Sequence, residues 1–222
     1  MKPWELLGEA RTPDGTDIRL TRSGSEYLIS ANAKPLMSSR MHGSEEALAT
    51  LACDEARGMN GPRVLVGGLG MGFTLRAVLN VLPADAVVTV AELVPAVVEW
   101  NGHVLAPLPA HPLRDPRVRV QVGDVGFLLR ANTDRFDVIL LDVDNGPAAF
   151  TASANAGLYD NSGVAAAYAA LRSSGTLAVW SAWEDRKFEQ RLRYCGFRVS
   201  VERVRARLKG GGPRHTIFLG FK

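Results

Sequence analysis

Residues 64–72 constrain the fold of this chain more than any other stretch. An apolar run at 64–66 leads into the glycine-rich sequence GGLGMG, and residues 73–79 then follow the pattern of a helix. Glycine can turn at positive φ and leaves no side chain between the backbone and a bound molecule. Turns of this kind, between the carboxyl end of a strand and the start of a helix, bind nucleotides in open α/β sheets. The stretch therefore predicts a strand–helix unit with a nucleotide site; a tight turn without a ligand is the alternative.

The acidic residue after the next strand makes the nucleotide hypothesis more specific. Residues 86–91 form a second buried strand, and Glu92 follows it, 20 residues after Gly72. A carboxylate at that place accepts hydrogen bonds from both ribose hydroxyls. Gly68, Gly70 and Gly72 have the spacing G-x-G-x-G, which is typical of S-adenosylmethionine sites, and not the G-x-G-x-x-G of dehydrogenases. We therefore expect S-adenosylmethionine rather than a nicotinamide cofactor.

Length and composition favour one well-buried α/β unit. The chain has 222 residues, of which 46% are hydrophobic, and this is enough for a single core of normal depth. No apolar run approaches the ~18 residues of a membrane span, and residues 1–5 lack the apolar region of a signal peptide. Cys53 and Cys195 have neither metal-binding nor redox spacing, so we expect two buried thiols in a reducing compartment. These features predict a cytoplasmic protein with no membrane partner.

The charge pattern gives little indication of a polyanionic partner. The formal net charge is +3, and the basic residues near the end of the chain have no aromatic residues among them, unlike nucleic-acid-binding surfaces. We interpret them as a solvated hairpin and do not expect nucleic acid. Contact with an acidic acceptor, or with a partner subunit in a homodimer, is the alternative. These basic residues are Arg203, Arg205, Arg207, Lys209 and Arg214.

Alternating strand and helix patterns predict a doubly wound sheet. Alternation of apolar and polar residues over 16–31 indicates an N-terminal hairpin. A helix follows from Ser44, whose hydroxyl we expect to cap it, and runs towards Arg57, with Gly58 as its end. Uninterrupted apolar runs such as 138–141 are typical of strands covered on both faces, as in parallel sheets. The predicted strands lie near 63–67, 86–91, 117–122, 136–141 and 175–180, the helices near 72–81, 94–102, 124–131, 161–172 and 184–194, and a long surface loop at 104–116.

The end of the chain departs from this alternation. Residues 197–201 and 216–220 have strand patterns, and the glycine-rich residues 209–213 between them leave no room for a crossover helix. Strands joined so briefly pair antiparallel. We therefore expect a mostly parallel sheet whose last strand runs antiparallel.

Carboxylates follow the third and fourth strands of this predicted sheet. Asp124 stands between a strand and a helix, where it either caps the helix or accepts a hydrogen bond from the amine of an adenine. Asp142, Asp144 and Asn145 follow the buried fourth strand. Acidic residues crowded in a cleft repel each other unless a cation or a shared proton relieves them. They therefore suit a cationic sulfonium or a protonated amine, whose proton Asp142 can take up.

A divalent metal ion is the alternative reading of these carboxylates, since hard cations prefer oxygen ligands. The sequence offers no third convincing ligand, so we expect no metal. The histidines have no ligand spacing either, and we expect His103, His111 and His215 to be surface or packing residues. His42 precedes the first helix and is a candidate for lining the pocket.

The order of these features resembles the spermidine synthase family, which has the class I S-adenosylmethionine-dependent methyltransferase fold. The resemblance covers nearly the whole chain and puts Asp142 at the place of the family's catalytic aspartate. The matching segments are the glycine loop at 66–72, the acidic strand end at 91–93, the adenine-side segment at 115–124 and the gate region at 141–147 and 158–159.

Three departures from the family pattern concern the acceptor. Leu69 and Met71 stand where the glycine loop of the family usually carries an aspartate. The gate sequence Asp-Ser-Ser-Asp-Pro reads DVDNG at 142–146, and the Tyr-His-Glu or Tyr-Gln-Glu of the first helix reads GSEE at 43–46. We therefore lean to methyl transfer to a small-molecule or peptide acceptor. Aminopropyl transfer to a diamine, giving a polyamine such as spermidine, is the alternative, and a non-catalytic interaction module on this fold is a further one.

The resemblance also implies an architecture and a set of site residues. It implies a Rossmann-like domain at 41–222 after a small β-hairpin region at 1–40, with a seven-stranded sheet whose antiparallel last strand is inserted beside its neighbour. S-adenosylmethionine, or its decarboxylated form, is expected across the carboxyl ends of the first four strands. The expected contacts are the amino-acid part at Gly68, Gly70 and Gly72, the ribose at Glu92, the adenine at Asp124 and the main chain of Val125, and the acceptor at Asp142, with Asp144, Asn145, Tyr159 and His42 shaping its pocket.

Overall fold

The described residues form two β-sheets, a four-stranded one at the N-terminus and a seven-stranded one after it. The computed structural model describes residues 2–143, 146–147, 156–207 and 212–222. The first sheet contains β1 (Glu5–Arg11), β2 (Asp17–Ser23), β3 (Glu26–Ala31) and β4 (Lys34–Ser38). The second contains β5 (Arg63–Gly67), β6 (Val87–Glu92), β7 (Val118–Val122), β8 (Phe136–Leu141), β9 (Leu171–Ser181), β10 (Arg198–Arg205) and β11 (Arg214–Phe221).

The seven-stranded sheet has the strand order β10-β11-β9-β8-β5-β6-β7. β9, β8, β5, β6 and β7 pair in parallel, whereas β11 pairs antiparallel with β9 on one side and β10 on the other. The predicted sheet, with its antiparallel last strand inserted beside its neighbour, is confirmed.

The helices in the described residues are α1 (Gly43–Ala52), α2 (Phe73–Val81), α3 (Pro95–Gly102), α4 (Val125–Arg130), α5 (Ala156–Tyr159), α6 (Asn161–Ala170) and α7 (Arg186–Tyr194), with 3-10 turns at Ala56–Gly58 and Pro112–Arg114. Five of them, α2, α3, α4, α6 and α7, lie close to their predicted positions, whereas α5 was not predicted and α1 ends early. Within the described part of the chain, no helix is both long and apolar enough to cross a bilayer.

Successive residues of the central strands face opposite sides of the sheet. Val64 and Val66 of β5 belong to one buried cluster, together with the apolar faces of α1, α2 and α3. Leu65, between them, belongs to a second cluster on the other face, with residues of α4, α6 and α7. Both faces are therefore covered, which explains the uninterrupted apolar runs, because each buried aliphatic side chain contributes about 1.5–3 kcal/mol whichever way it points.

The N-terminal sheet is larger than the predicted hairpin. β2 and β3 lie within the predicted 16–31, but β1 and β4 extend the sheet on either side. Ile18, Leu20 and Ile29 are buried and join the same cluster as β5 and α1. The sheet is thus packed directly on the larger domain; the boundary at residue 40 stays a prediction.

Two expectations about α1 are wrong. The helix ends at Ala52 and does not continue towards Arg57, where a separate 3-10 turn follows. Ser44 does not cap it: His42 is the N-cap residue, without a side-chain capping bond. The Ser44 hydroxyl contacts Glu45 and His215 instead, because Ser44 lies inside the fold, with no exposed surface.

The surface features also differ in part from expectation. Residues 104–116 are not wholly a surface loop, since Leu105, Ala106 and Pro112 are buried. Cys53 is buried, and burial raises the pKa of its thiol to about 12, but Cys195 is partly exposed. Arg203, Arg205 and Arg214 lie exposed on β10 and β11, as predicted for a solvated hairpin.

Replacing Gly68 by alanine is expected to destabilise the protein. Gly68 has φ +89°, and a Cβ there would lie 2.2 Å from the carbonyl oxygen of Asp142, so either the loop or the end of β8 must move. We expect a loss of about 1–3 kcal/mol or more in the free energy of unfolding, measured by urea titration. Gly102→Ala is the matched control, because nothing lies within 4 Å of the added atom. Equal stability of the two variants would contradict the assigned loop conformation.

Candidate active site

A cavity of about 270 Å³ lies at the carboxyl edge of the seven-stranded sheet. The ends of β5, β6, β8 and β9 and the segment after β7 form its base, and apolar residues of the N-terminal sheet form its roof. β11 runs antiparallel, so its first residues reach the same edge. The lining residues include Ile18, Ile29, Leu36, Met37, Glu45, Gly68, Gly70, Glu92, Asp124, Val125, Asp142, Trp180 and His215.

Two of the three predicted loop glycines line this cavity. Gly68 and Gly70 have positive φ and face the cavity, and a Cβ at Gly70 would collide with the side chain of Met37. Gly72 does not line the cavity. It is the N-cap of α2 in a left-handed conformation, packed against Asn101. Gly72 therefore shapes the loop, and its position does not favour direct contact with a ligand.

Glu92 is buried at the end of β6 and binds the glycine loop. One carboxylate oxygen accepts a hydrogen bond from the Leu69 amide at 2.9 Å, and the other accepts one from the Val94 amide at 2.8 Å. Burial raises the pKa of Glu92, and the amide hydrogen bonds oppose that rise. Each oxygen keeps a second lone pair, so Glu92 holds the loop in place and can still accept from a hydroxyl in the cavity.

Asp124 caps α4 and also faces the cavity. Its carboxylate accepts a hydrogen bond from the Gly126 amide at 2.8 Å, and Arg130 lies 3.6 Å away. The capping alternative is therefore present in the structure, while the adenine contact stays a prediction. Val125, the next residue, is buried and lines the cavity too.

Asp142 is the first residue after β8 and lies beside the glycine loop. Its Oδ2 accepts a hydrogen bond from the Thr74 hydroxyl of α2 at 2.5 Å. Burial raises the pKa of Asp142 to about 6, although the bond from Thr74 lowers it. Tyr159 does not line the cavity: its hydroxyl donates to the Val143 carbonyl at 3.2 Å, so it supports the segment that carries Asp142.

Glu45 is a cavity residue that the sequence analysis missed. It lies in the first turn of α1 and lines the same cavity as Asp142. Burial raises the pKa of Glu45 to about 8, and the negative charge of Asp142 adds to the rise. When both are ionised, the pair Glu45–Asp142 therefore concentrates negative charge in a poorly hydrated place, which is unfavourable until a cation or a proton relieves it. Acidic residues are common in first turns of helices, and in the sequence the GSEE segment at 43–46 stood out only as a departure from the family pattern.

The histidine in the cavity is His215 and not His42. His215 packs edge-on against Trp180, with ring centroids 4.6 Å apart, and its Nδ1 lies 2.9 Å from the Ser44 hydroxyl. Burial lowers the pKa of His215. His42 stacks on Phe73 and pairs with Glu46. The structure does not place it in the cavity lining, where the sequence had suggested it, and its contact with substrate stays a prediction.

Two predicted acceptor residues, Asp144 and Asn145, lie outside the described residues. Across the described ranges, no group of three or more His, Cys, Asp or Glu side chains is arranged to hold a metal ion. The site that can be described consists of a glycine loop, two acidic strand ends and the pair Glu45–Asp142.

Comparisons with known proteins agree on the fold. No protein-family model matches the chain, and a search of curated proteins found no match. The spermidine synthase from Thermotoga maritima superimposes with a TM-score of 0.75 at 17% identity, over 98% of this chain and 72% of that one. A spermidine synthase in complex with the transition-state analogue AdoDATO gives 0.73 at 17% identity, over the same shares. A probable spermidine synthase from Corynebacterium glutamicum ATCC 13032 gives 0.64 at 19% identity, over 96% of this chain and 79% of that one.

These likenesses place the chain in a structural class. It has the Rossmann-like class I methyltransferase fold predicted from its sequence. Within that class it has the spermidine synthase-like form, in which a small antiparallel sheet precedes the larger domain.

Removing the charge of Glu45 is expected to stabilise the protein at high pH. The pKa of Glu45 rises from 4.5 to about 8 on folding, so between these values the folded state binds more protons than the unfolded chain. The free energy of unfolding therefore falls as pH rises through this window. Glu45→Gln keeps the shape without the charge. Its Tm advantage over the parent protein should grow from about pH 5 to about pH 9, by ~2–4 °C per kcal/mol relieved.

The matched control for this experiment is Glu99→Gln, which changes an exposed glutamate of α3. Its Tm difference from the parent protein should stay constant over the same pH range. A constant difference for Glu45→Gln as well would contradict the burial and repulsion that we assign to Glu45.

Proposed function

We propose that the protein is an aminopropyltransferase that takes the aminopropyl group from decarboxylated S-adenosylmethionine and transfers it to an amine. The observation that carries this proposal is the pair Glu45–Asp142, two carboxylates that line one cavity with the glycine loop and interact electrostatically. Both reacting partners are cations in water, a sulfonium and an ammonium, and each relieves the repulsion in this pair. The likeness to spermidine synthases supports the same reaction class.

The charge of the cavity favours the decarboxylated donor over S-adenosylmethionine itself. Its lining includes the carboxylates of Glu45, Glu92, Asp124 and Asp142, and none of the described residues that line it is lysine or arginine. S-adenosylmethionine carries a carboxylate that such a lining repels, and the repulsion is strong at low dielectric. Decarboxylated S-adenosylmethionine lacks that group and keeps the sulfonium and the ammonium, so its positive charges are no longer offset by a carboxylate.

This charge argument also revises the lean towards methyl transfer. The lean rested partly on the loss of an aspartate from the glycine loop, where Met71 is now buried in the core. Glu45 supplies a carboxylate to the same cavity from α1. The missing aspartate of the glycine loop is therefore no longer evidence against an aminopropyl donor. We therefore favour aminopropyl transfer, which the sequence analysis held as the alternative.

The nucleoside is proposed to lie across the carboxyl ends of β5, β6 and β7. Gly68 and Gly70 leave room beside the sulfonium, and Glu92 accepts from the ribose hydroxyls with its remaining lone pairs. Asp124 and the main chain of Val125 face the adenine. Each of these residues lines the cavity.

The proposed reaction is an in-line displacement at carbon. The acceptor ammonium has no lone pair, so it first gives up a proton. The freed lone pair then attacks the methylene carbon bound to sulfur, the carbon–sulfur bond breaks with its electrons remaining on sulfur in the thioether product, and the acceptor nitrogen becomes a secondary ammonium. Asp142, with a pKa of about 6, is mostly ionised near neutral pH, so it can orient the ammonium and accept its proton. Positioning and exclusion of water supply much of the remaining acceleration.

Binding of the donor can be measured by isothermal titration calorimetry. We expect decarboxylated S-adenosylmethionine to bind at least ~10-fold more tightly than S-adenosylmethionine, because it has the same two positive charges without the carboxylate that the acidic lining repels. The thioether product should bind as well, and NAD should not. Tighter binding of S-adenosylmethionine would return the preference to methyl transfer. Binding of NAD alone would indicate an oxidoreductase, and binding of no nucleoside would indicate an interaction module.

Transfer can be measured with decarboxylated S-adenosylmethionine and putrescine or a panel of other amines. Asp142→Asn should lower kcat by about 10²–10⁴-fold, since the amide accepts no proton. Asp54→Asn is the matched control, because Asp54 is an exposed residue paired with Arg57, and it should leave the rate unchanged.

The products distinguish the alternatives. A methylated acceptor formed from S-adenosylmethionine, without aminopropyl transfer, would contradict the proposal. If Asp142→Asn leaves aminopropyl transfer unaffected, Asp142 has no part in the mechanism, although the protein still has the proposed activity.

A further inference from the structure

A chain of hydrogen-bonding groups leads away from the pair Glu45–Asp142. The Ser44 hydroxyl lies 2.6 Å from the Glu45 carboxylate and 2.9 Å from Nδ1 of His215, a residue 171 positions further along the sequence. Ser44 has no exposed surface, whereas His215 is only partly buried. The chain therefore joins two residues that line the cavity, the carboxylate of Glu45 and the partly exposed imidazole of His215, through a fully buried hydroxyl.

The Ser44 hydroxyl has one proton, so the chain has two arrangements. When Glu45 is ionised, Ser44 donates to it and accepts from the Nδ1–H of His215. When Glu45 is protonated, Glu45 donates to Ser44, and Ser44 donates to a bare Nδ1. A shift from the second arrangement to the first moves one proton from Glu45 to His215 without moving a heavy atom.

The charged and polar groups around the chain give this shift a direction. Asp142 at the end of β8 and Glu46 on α1 both raise the pKa of Glu45. Thr74 of α2 holds Asp142 in place, and on the far side His215 packs against Trp180 of β9. Without a ligand, the raised pKa of Glu45 and the burial-lowered pKa of His215 keep the proton on Glu45. A cation in the cavity stabilises ionised Glu45 and drives the proton towards His215, which then releases it to water.

We propose that Glu45, Ser44 and His215 form a proton relay that carries the proton lost by the acceptor amine away from the reacting atoms to His215. This inference rests on the proposed transfer reaction. Asp142 takes the proton of the acceptor ammonium before the attack: the nitrogen–hydrogen bond breaks, an oxygen–hydrogen bond forms on Asp142, and Asp142 passes the proton to ionised Glu45. The Glu45 proton then passes to the Ser44 oxygen while the Ser44 proton passes to Nδ1 of His215. His215 loses its Nε2 proton to water, which leaves a neutral ring protonated on Nδ1. Rotation of that ring, or proton exchange with water, restores a bare Nδ1 for the next turnover. Asp142 is the catalytic residue, and Glu45, Ser44 and His215 act through it.

Steady-state kinetics over a pH range tests the relay. Glu45→Gln should lower kcat by ~10²-fold or more and remove the limb of the pH profile that reports ionised Glu45. Ser44→Ala and His215→Ala should each lower kcat by about 10-fold or more, with KM for the donor unchanged. Added imidazole should restore part of the rate of His215→Ala, which a purely structural role does not allow. Glu99→Gln and His103→Gln change exposed residues and are the matched controls.

A spectroscopic measurement tests the chain without substrate. Nitrogen-15 NMR of labelled histidine reports the tautomer and pKa of His215, and both should change in Glu45→Gln and in Ser44→Ala but not in Glu99→Gln. An unchanged His215 signal in both chain variants would overturn the relay.

The outcomes separate the relay from the proposed function. Suppose that the parent protein catalyses transfer and that kcat and the pH profile are unaltered in Glu45→Gln, Ser44→Ala and His215→Ala. This result would overturn the relay and leave the proposed function standing. Absence of transfer to any amine by the parent protein would overturn the proposed function, and the relay with it.

Discussion

The site depends on a close approach between the glycine loop and the end of β8. β5 and β8 are adjacent parallel strands, and the Asp142 amide donates to the Gly67 carbonyl at 2.8 Å. One residue further on, the backbones pass so closely that a side chain at Gly68 would meet the Asp142 carbonyl oxygen. Only glycine fits there. This contact holds Asp142 at the start of α2, where Thr74 reaches its carboxylate, and it opens the space in which a ligand can lie.

Around this contact the protein accepts an unfavourable concentration of negative charge. Glu45 and Asp142 line the same cavity with raised pKa values of about 8 and about 6, and no lysine or arginine among the described lining residues compensates them. Such an arrangement costs folding free energy and is typical of functional sites, where a ligand supplies the missing charge. Under the proposed function, the same acidity would select between donors, since it favours cations and repels a carboxylate.

The N-terminal sheet closes the cavity because it shares the core of the larger domain. Ile18, Leu20 and Ile29 pack in the same cluster as α1 and β5. β1 crosses α3 so closely that a Cβ at Gly8 would lie 2.5 Å from the Trp100 indole nitrogen. The sequence pattern predicted β2 and β3, which alternate clearly, but not β1 and β4, whose side chains are mostly exposed or half-buried. Strands with so little buried surface leave a weak apolar pattern.

The sequence by itself determined the parallel sheet, the glycine loop and the residues at the carboxyl ends of the strands. Glu92, Asp124 and Asp142 were predictable because parallel strands end at one edge, so position in a strand pattern is enough to place them. Glu45, Trp180 and His215 were not, because they meet only through packing: α1 docks across the sheet edge, and the antiparallel insertion of β11 brings its first residues to that edge. Local sequence patterns indicate which face of a helix or strand is buried. Contacts between distant elements depend on how those faces pack together, and only the tertiary structure decided that packing.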